Sequence, residues 1–208
     1  MKKNRSTTNL LIISLVVIVI IIGSIRFADN FLAIKIMRFL QSMHFMRKAT
    51  EHIPDLLPYL VCTSTILIWV IYTYKALKKN IDTNFFFLRL AGFSLPASYV
   101  LKTFLQYAFG RIPARLWISS PHVVKFSWFH ESGGGCFPSG HMTTFTAFGI
   151  AILIYYPQYK PQVLLTLAIL GLALIATDYH FVSDVIAGAY VGFLTTYLLW
   201  TIFLRSRS

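Results

Sequence analysis

A chain of 208 residues with 56% hydrophobic, 16% aromatic and only 12% charged side chains has too little charge to cover a water-soluble domain. Its mean hydropathy of +0.65 and recurrent apolar runs put nearly all its mass in or against lipid, as a single membrane-embedded domain over residues 1–208. The net charge of +12, from 19 Lys and Arg against 7 Asp and Glu, favours an anionic lipid surface and phosphorylated ligands. Nucleic acid is disfavoured, because the basic residues are scattered over short connections and no soluble module presents them.

The first apolar run, residues 10–25, follows the basic Lys2, Lys3 and Arg5 and has the outline of a signal peptide or an anchor. It is longer than a usual signal core and no small-residue cleavage site follows it, which predicts an anchor. Residues 31–46 place Leu32, Ile36, Phe39, Leu40 and Met43 on one stripe, with Lys35 and Arg38 off it. That pattern predicts an interfacial amphipathic helix on anionic headgroups, with a core-packed helix as the alternative. Further spans are predicted at 56–77, 85–109, 137–156, 163–179 and 185–204, so the fold class is all-α and polytopic with six transmembrane helices. An even count puts both termini on one side. The basic tails (Lys2, Lys3, Arg5, Arg205, Arg207) and the middle turn (Lys75, Lys78, Lys79) make that side cytoplasmic, although the opposite segments are nearly as basic. Cys62 and Cys136 lack metal-ligand spacing and read as unpaired thiols.

Polar residues capable of catalysis fall at one level of this topology. Lys102 lies in span three and Arg111 and Arg115 follow it, Ser139 and His141 open span four, and His180 and Asp184 lie between spans five and six. Alternating helix directions bring these three places to one face. Pro138-Ser139-Gly140-His141 follows a glycine-rich loop (Ser132 to Gly135) and precedes an apolar run, so it reads as a helix start. There Ser139 is the N-cap, Gly140 lets backbone approach a ligand, and the free N–H groups suit a phosphate; an ordinary capped helix is the plain alternative. His180 and Asp184, four apart, let a carboxylate fix an imidazole tautomer and stabilise its cation, the pairing of a nucleophile or base. A packing histidine is the alternative. Two histidines and a carboxylate could hold zinc, yet no third ligand has convincing spacing, and no metal is expected. Arg111 and Arg115 suit phosphate oxygens by bidentate donation, or would snorkel to headgroups if they stood alone.

In order and spacing these residues resemble the type 2 phosphatidic acid phosphatase family, membrane relatives of bacterial acid phosphatases and vanadium haloperoxidases. The family pattern joins Lys-x6-Arg-Pro, Pro-Ser-Gly-His and Ser-Arg-x5-His-x3-Asp. Here Pro138 to His141 carry the second part intact, and His180 with Asp184 carries the end of the third, over a match of residues 90–204. Leu174 stands where the third-motif Arg falls. Arg111 comes nine positions after Lys102 and is followed by Ile112 rather than proline, and Gln106 occupies the lysine register of the Gly-Arg form of the first motif.

The resemblance implies a lipid phosphatase in which His180 attacks phosphorus, Asp184 holds the ring and His141 protonates the leaving oxygen. It implies phosphate binding by Arg111, Ser139, Gly140, Lys102 and Arg115, and needs neither metal nor cofactor. It also implies a bacterial inner membrane with the site facing the periplasm or outside. Candidate substrates are phosphatidate, phosphatidylglycerol phosphate, undecaprenyl pyrophosphate and lipid A phosphates. A phosphotransferase with the same intermediate and a catalytically silent lipid-binding homologue are the alternatives. A transporter ranks last, because the polar groups gather at one interface rather than along a midplane path.

Overall fold

The computed structural model describes residues 2–40, 53–119, 126–129 and 135–205. Residues 41–46 of the expected interfacial helix, Ser132 to Gly134 of the glycine-rich loop, and Arg207 lie outside them. The described residues form α1 (Lys2–Gly23), a π-helical turn (Ser24–Ala28), α2 (Asp29–Leu40), α3 (Ile53–Leu77) and α4 (Thr83–Phe109). The short α5 (Ala114–Ser119) follows, then α6 (Gly140–Tyr155), α7 (Lys160–Ala176) and α8 (Val182–Arg205).

Four stretches are long and apolar enough to cross a membrane: Thr8–Arg38, Leu56–Leu77, Pro157–Ala176 and Val182–Leu204. Two of the six expected spans fall outside that set. The 27-residue α4 carries Arg89 and Lys102, and α6 is apolar but only 16 residues long. Large apolar side chains such as Leu15, Val19, Val100 and Leu172 are more than half exposed, a surface that lipid covers and water does not. The chain is an integral membrane protein.

The sequence predicts a break between the first span and the helix after it, and instead the π turn joins α1 and α2 into one run. Within α2, Ala33 is buried against Ala114 and Phe181, whereas Phe31, Ile34, Lys35 and Arg38 are exposed. This turn of α2 therefore packs on protein at Ala33 and leaves its other side exposed.

At the centre stands α6, between α4 and α8, with α7 packed on α6, α3 on α4 and α1 on α8. A helix that is apolar on all sides belongs in such a position. It is seated on α8 through small residues spaced four apart. A Cβ on Gly188 would lie 2.6 Å from the Ser139 carbonyl oxygen, and one on Gly192 2.2 Å from that of Thr143. One turn further, the Thr196 hydroxyl donates to the Ala147 carbonyl at 3.0 Å. Backbones this close are the mark of small-residue packing between membrane helices. The helix ends facing the site are capped too: Gly110 closes α4 in the left-handed conformation (φ 52°), and Ser139 caps α6.

Candidate active site

The end of α4, the start of α6, the turn between α7 and α8 and the π turn before α2 meet at one end of the bundle. At their centre the Arg111 guanidinium is fully buried. Its Nη1 donates to Asp184 Oδ1 at 2.5 Å and to the Ser183 hydroxyl at 2.6 Å, and its Nη2 donates to Asp29 Oδ2 at 2.7 Å. Phe126, Phe137 and Phe181 surround it, with ring centroids 4.9, 5.8 and 4.2 Å from Cζ. The sequence analysis assigns Arg111 to phosphate; in this structure its guanidinium faces Asp29, Asp184 and Ser183. Both terminal nitrogens are committed to carboxylates, and Nε is buried without an acceptor. Two carboxylates hold this buried cation, and removing the guanidinium would leave both of them buried without a counter-charge.

Asp184 is the hub. Its Oδ2 accepts from the Phe181 backbone N–H at 2.9 Å, a capping-box contact at the start of α8, and lies 3.5 Å from His180 Nδ1. That separation is too long for a hydrogen bond, and Nδ1 has no other partner. The Asp184 carbonyl accepts from Ser139 N–H at 3.0 Å, tying the Pro-Ser-Gly-His turn to the His180 turn. His141 and His180, both nearly buried, each contact the Tyr179 ring, at 6.5 and 5.3 Å between centroids.

Lys102 reaches the same place from α4. Its Nζ would lie 3.4 Å from a Cβ on Gly140, and it donates to Gln106 Oε1 at 3.2 Å. Gln106 in turn donates to the Pro138 carbonyl at 2.9 Å. Gln106, in the register of a family lysine, thus holds the turn while Lys102, one helical turn earlier, brings the charge to the start of α6. Arg115 sits differently: its Nε and Nη2 donate to the Thr177 carbonyl at 3.2 and 2.8 Å, anchoring the turn that carries His180. Leu174 packs with Met142 and Val185, and its carbonyl accepts from the N–H groups of Tyr179 and His180. The expected family arginine is therefore replaced by an apolar contact.

Three residues at this end escaped the sequence analysis. Asp29 and Ser183 hold Arg111, and the signal for Asp29 was its rarity, an acid at the end of a long apolar run. Asp178 is buried, has φ of 53° and leaves Oδ1 without a partner. Burial pushes its carboxyl up to about 6, against the opposing pull of Arg115. Cys62 and Cys136 are both free, and burial beside the site pushes the Cys136 thiol well up. Among the described residues, no three His, Cys, Asp or Glu side chains gather as a metal site.

An apolar cavity of about 490 Å³ opens beside this cluster. Ile18 and Ile22 of α1, Ile25 of the π turn, Leu105 and Phe109 of α4 and Val191 of α8 form its sides, and Phe137 and Pro138 wall the end next to Ser139.

A family model described as PAP2 superfamily matches residues 87–208. A lipid A 1-phosphatase of Rhizobium johnstonii is 36% identical over 153 residues, 66% of this chain and 63% of that protein. A lipid A 1-phosphatase of Rhizobium etli is 39% identical over 56 residues, 27% of this chain and 24% of that protein. The chain thus spans less than two thirds of the length of these curated relatives. The crystal structure of a transmembrane PAP2 type phosphatidylglycerolphosphate phosphatase from Bacillus subtilis aligns with 89% of this chain and 96% of its own, at 19% identity and a TM-score of 0.37.

Proposed function

The chain belongs to the PAP2 superfamily, and from that premise we propose that it is a lipid phosphatase acting through a phosphohistidine on His180. The observation that carries this reading is the 3.0 Å hydrogen bond from Ser139 N–H to the Asp184 carbonyl. It fastens the phosphate cradle of α6 to the nucleophile's turn, and the two meet from parts of the chain that are 45 residues apart.

In this mechanism the Gly140 N–H at the start of α6, the Ser139 hydroxyl and the Lys102 ammonium bind the phosphoryl oxygens, where negative charge gathers during transfer. The His180 Nε2 lone pair forms the N–P bond as the P–O bond to the lipid breaks, and His141 gives its proton to the departing oxygen. Asp184 holds Nδ1–H and offsets the positive ring. Water, giving a proton to His141, then opens the N–P bond, which frees phosphate and restores His180. Arg111 acts through Asp184, and Arg115 through the Thr177 turn. No step uses a metal.

A lipid substrate is supported by the apolar cavity, whose wall at Phe137 and Pro138 leads directly to Ser139. A chain of a phospholipid, lipid A or prenyl pyrophosphate would lie there with its phosphate at the cradle. Within this reading α4 and α6 also cross the bilayer, giving six spans, cytoplasmic termini and a site at the outer face of a bacterial inner membrane.

The test is phosphate release by the purified chain over a panel of these lipids, with lipid A first because both curated relatives are lipid A 1-phosphatases. Release by wild type and near-complete loss in His180→Ala are expected. Equal release from both proteins would overturn the nucleophile, and no release on any lipid would favour a silent homologue.

A further inference from the structure

Asp29 opens α2, 82 residues before the arginine it binds and outside the segment that matches the family. Its side chain has no exposed surface. Oδ2 accepts from Arg111 Nη2 at 2.7 Å and from the Ser183 hydroxyl at 2.6 Å, while Oδ1 accepts from the Ser183 N–H at 3.1 Å. A carboxylate taking the N–H of the second residue of a helix stabilises the helix start, here that of α8. The Asp29 N–H itself bonds to the Ser24 carbonyl five residues back, the wide winding of a π turn. That winding changes which side of the following helix faces the bundle, and Asp29 faces in.

Asp29, Arg111, Asp184 and His180 form a line of alternating charge. Before reaction it holds two carboxylates against one guanidinium, so it is one positive charge short of balance. The missing charge is the one that the imidazole ring acquires when phosphorus is bound to Nε2. In a site this deeply buried, where bulk solvent screens little, that compensation counts heavily. Were Asp184 the only anion facing Arg111, the guanidinium would take most of its charge and leave little for the ring.

We propose that Asp29 is a positioning residue of the active site: by sharing Arg111 it leaves Asp184 negative enough to hold the cationic His180 ring, and it pins the turn of α8 on which Asp184 stands. This rests on the phosphohistidine reading above. The N-terminal helix is then part of the catalytic machinery and more than an anchor.

Asp29→Asn is the informative variant, because it removes the charge yet keeps an acceptor for the Ser183 N–H. In the purified full chain, kcat for phosphate release falls on the order of tenfold to a hundredfold, the loss typical of removing a group that orients a reacting residue. KM stays within about twofold, since Asp29 touches no substrate. Ser183→Ala, which deletes one tie to Asp29 and one to Arg111 but no charge, gives a smaller kcat loss with the same KM, and it decides the matter should Asp29→Asn not fold. Wild-type kcat in Asp29→Asn beside an inactive His180→Ala overturns this inference and leaves the proposed function standing, as does a rise in KM alone in either variant. Full activity in His180→Ala would end the phosphohistidine reading itself, and this inference with it.

Discussion

Arg111 has no exposed surface, and its terminal nitrogens already carry Asp29, Asp184 and Ser183. A lysine there keeps the charge but cannot span two carboxylates, because it lacks the planar fork. Arg111→Lys is therefore expected to lower kcat and leave KM nearly unchanged, whereas an arginine that gripped phosphate would show its loss in KM. Steady-state kinetics on one lipid separates the two. Asp178 makes a different prediction. Its carboxyl is raised from 3.8 to about 6 by burial, so the folded protein favours the protonated form. The stability this group supplies is full below about pH 4 and is lost as pH rises through about 6. Asp178→Asn, which tolerates the positive φ, should melt progressively higher than wild type as pH rises through that window. A difference in melting temperature that stays constant with pH would contradict it. Neither role could be read from the sequence. Spacing makes His180, Asp184 and Ser139 legible, but a cation's partner 82 residues away leaves no local pattern.

The pairing of α6 with α8 sets how closely Ser139 approaches Asp184. A methyl group on Gly192 would meet the Thr143 carbonyl oxygen at 2.2 Å and the Ala147 nitrogen at 2.9 Å, backbone atoms that cannot rotate away. Gly192→Ala should therefore part the two helices, costing about 1–3 kcal/mol as overpacking does, and reduce phosphate release. Gly23→Ala, where nothing lies within 4 Å of the new methyl, is the matched control and should leave thermal unfolding in detergent unchanged. Unfolding temperatures that match in the two variants would contradict the close seating. At this level the sequence is informative: apolar runs locate α3, α4, α6, α7 and α8 to within a few residues, because helix length and lipid thickness are tied. It fails at residues 24–29. There a π turn continues the helix between two runs that the sequence analysis treats as separate helices, since hydropathy cannot report a change in winding.

Taken as one molecule, the chain draws its site from four separate stretches that topology alone brings together. The N-terminal run contributes Asp29 and one wall of the apolar cavity, so the buried charge cluster and the cavity share a helical run. A substrate chain lying against Ile18 and Ile22 would thus press on the same helix that holds Arg111 in place. The sequence exposes the convergence through helix directions, and it conceals how the buried charges are shared among the helices. The central claim is that phosphorus passes through His180. Acid-quenched or base-quenched turnover of a lipid carrying radioactive phosphate tests it most directly. The account predicts a protein-bound label that survives base, is lost in acid, maps to the peptide containing His180 and is absent from His180→Ala. Turnover without any bound label, or an equal label on His180→Ala, would contradict it.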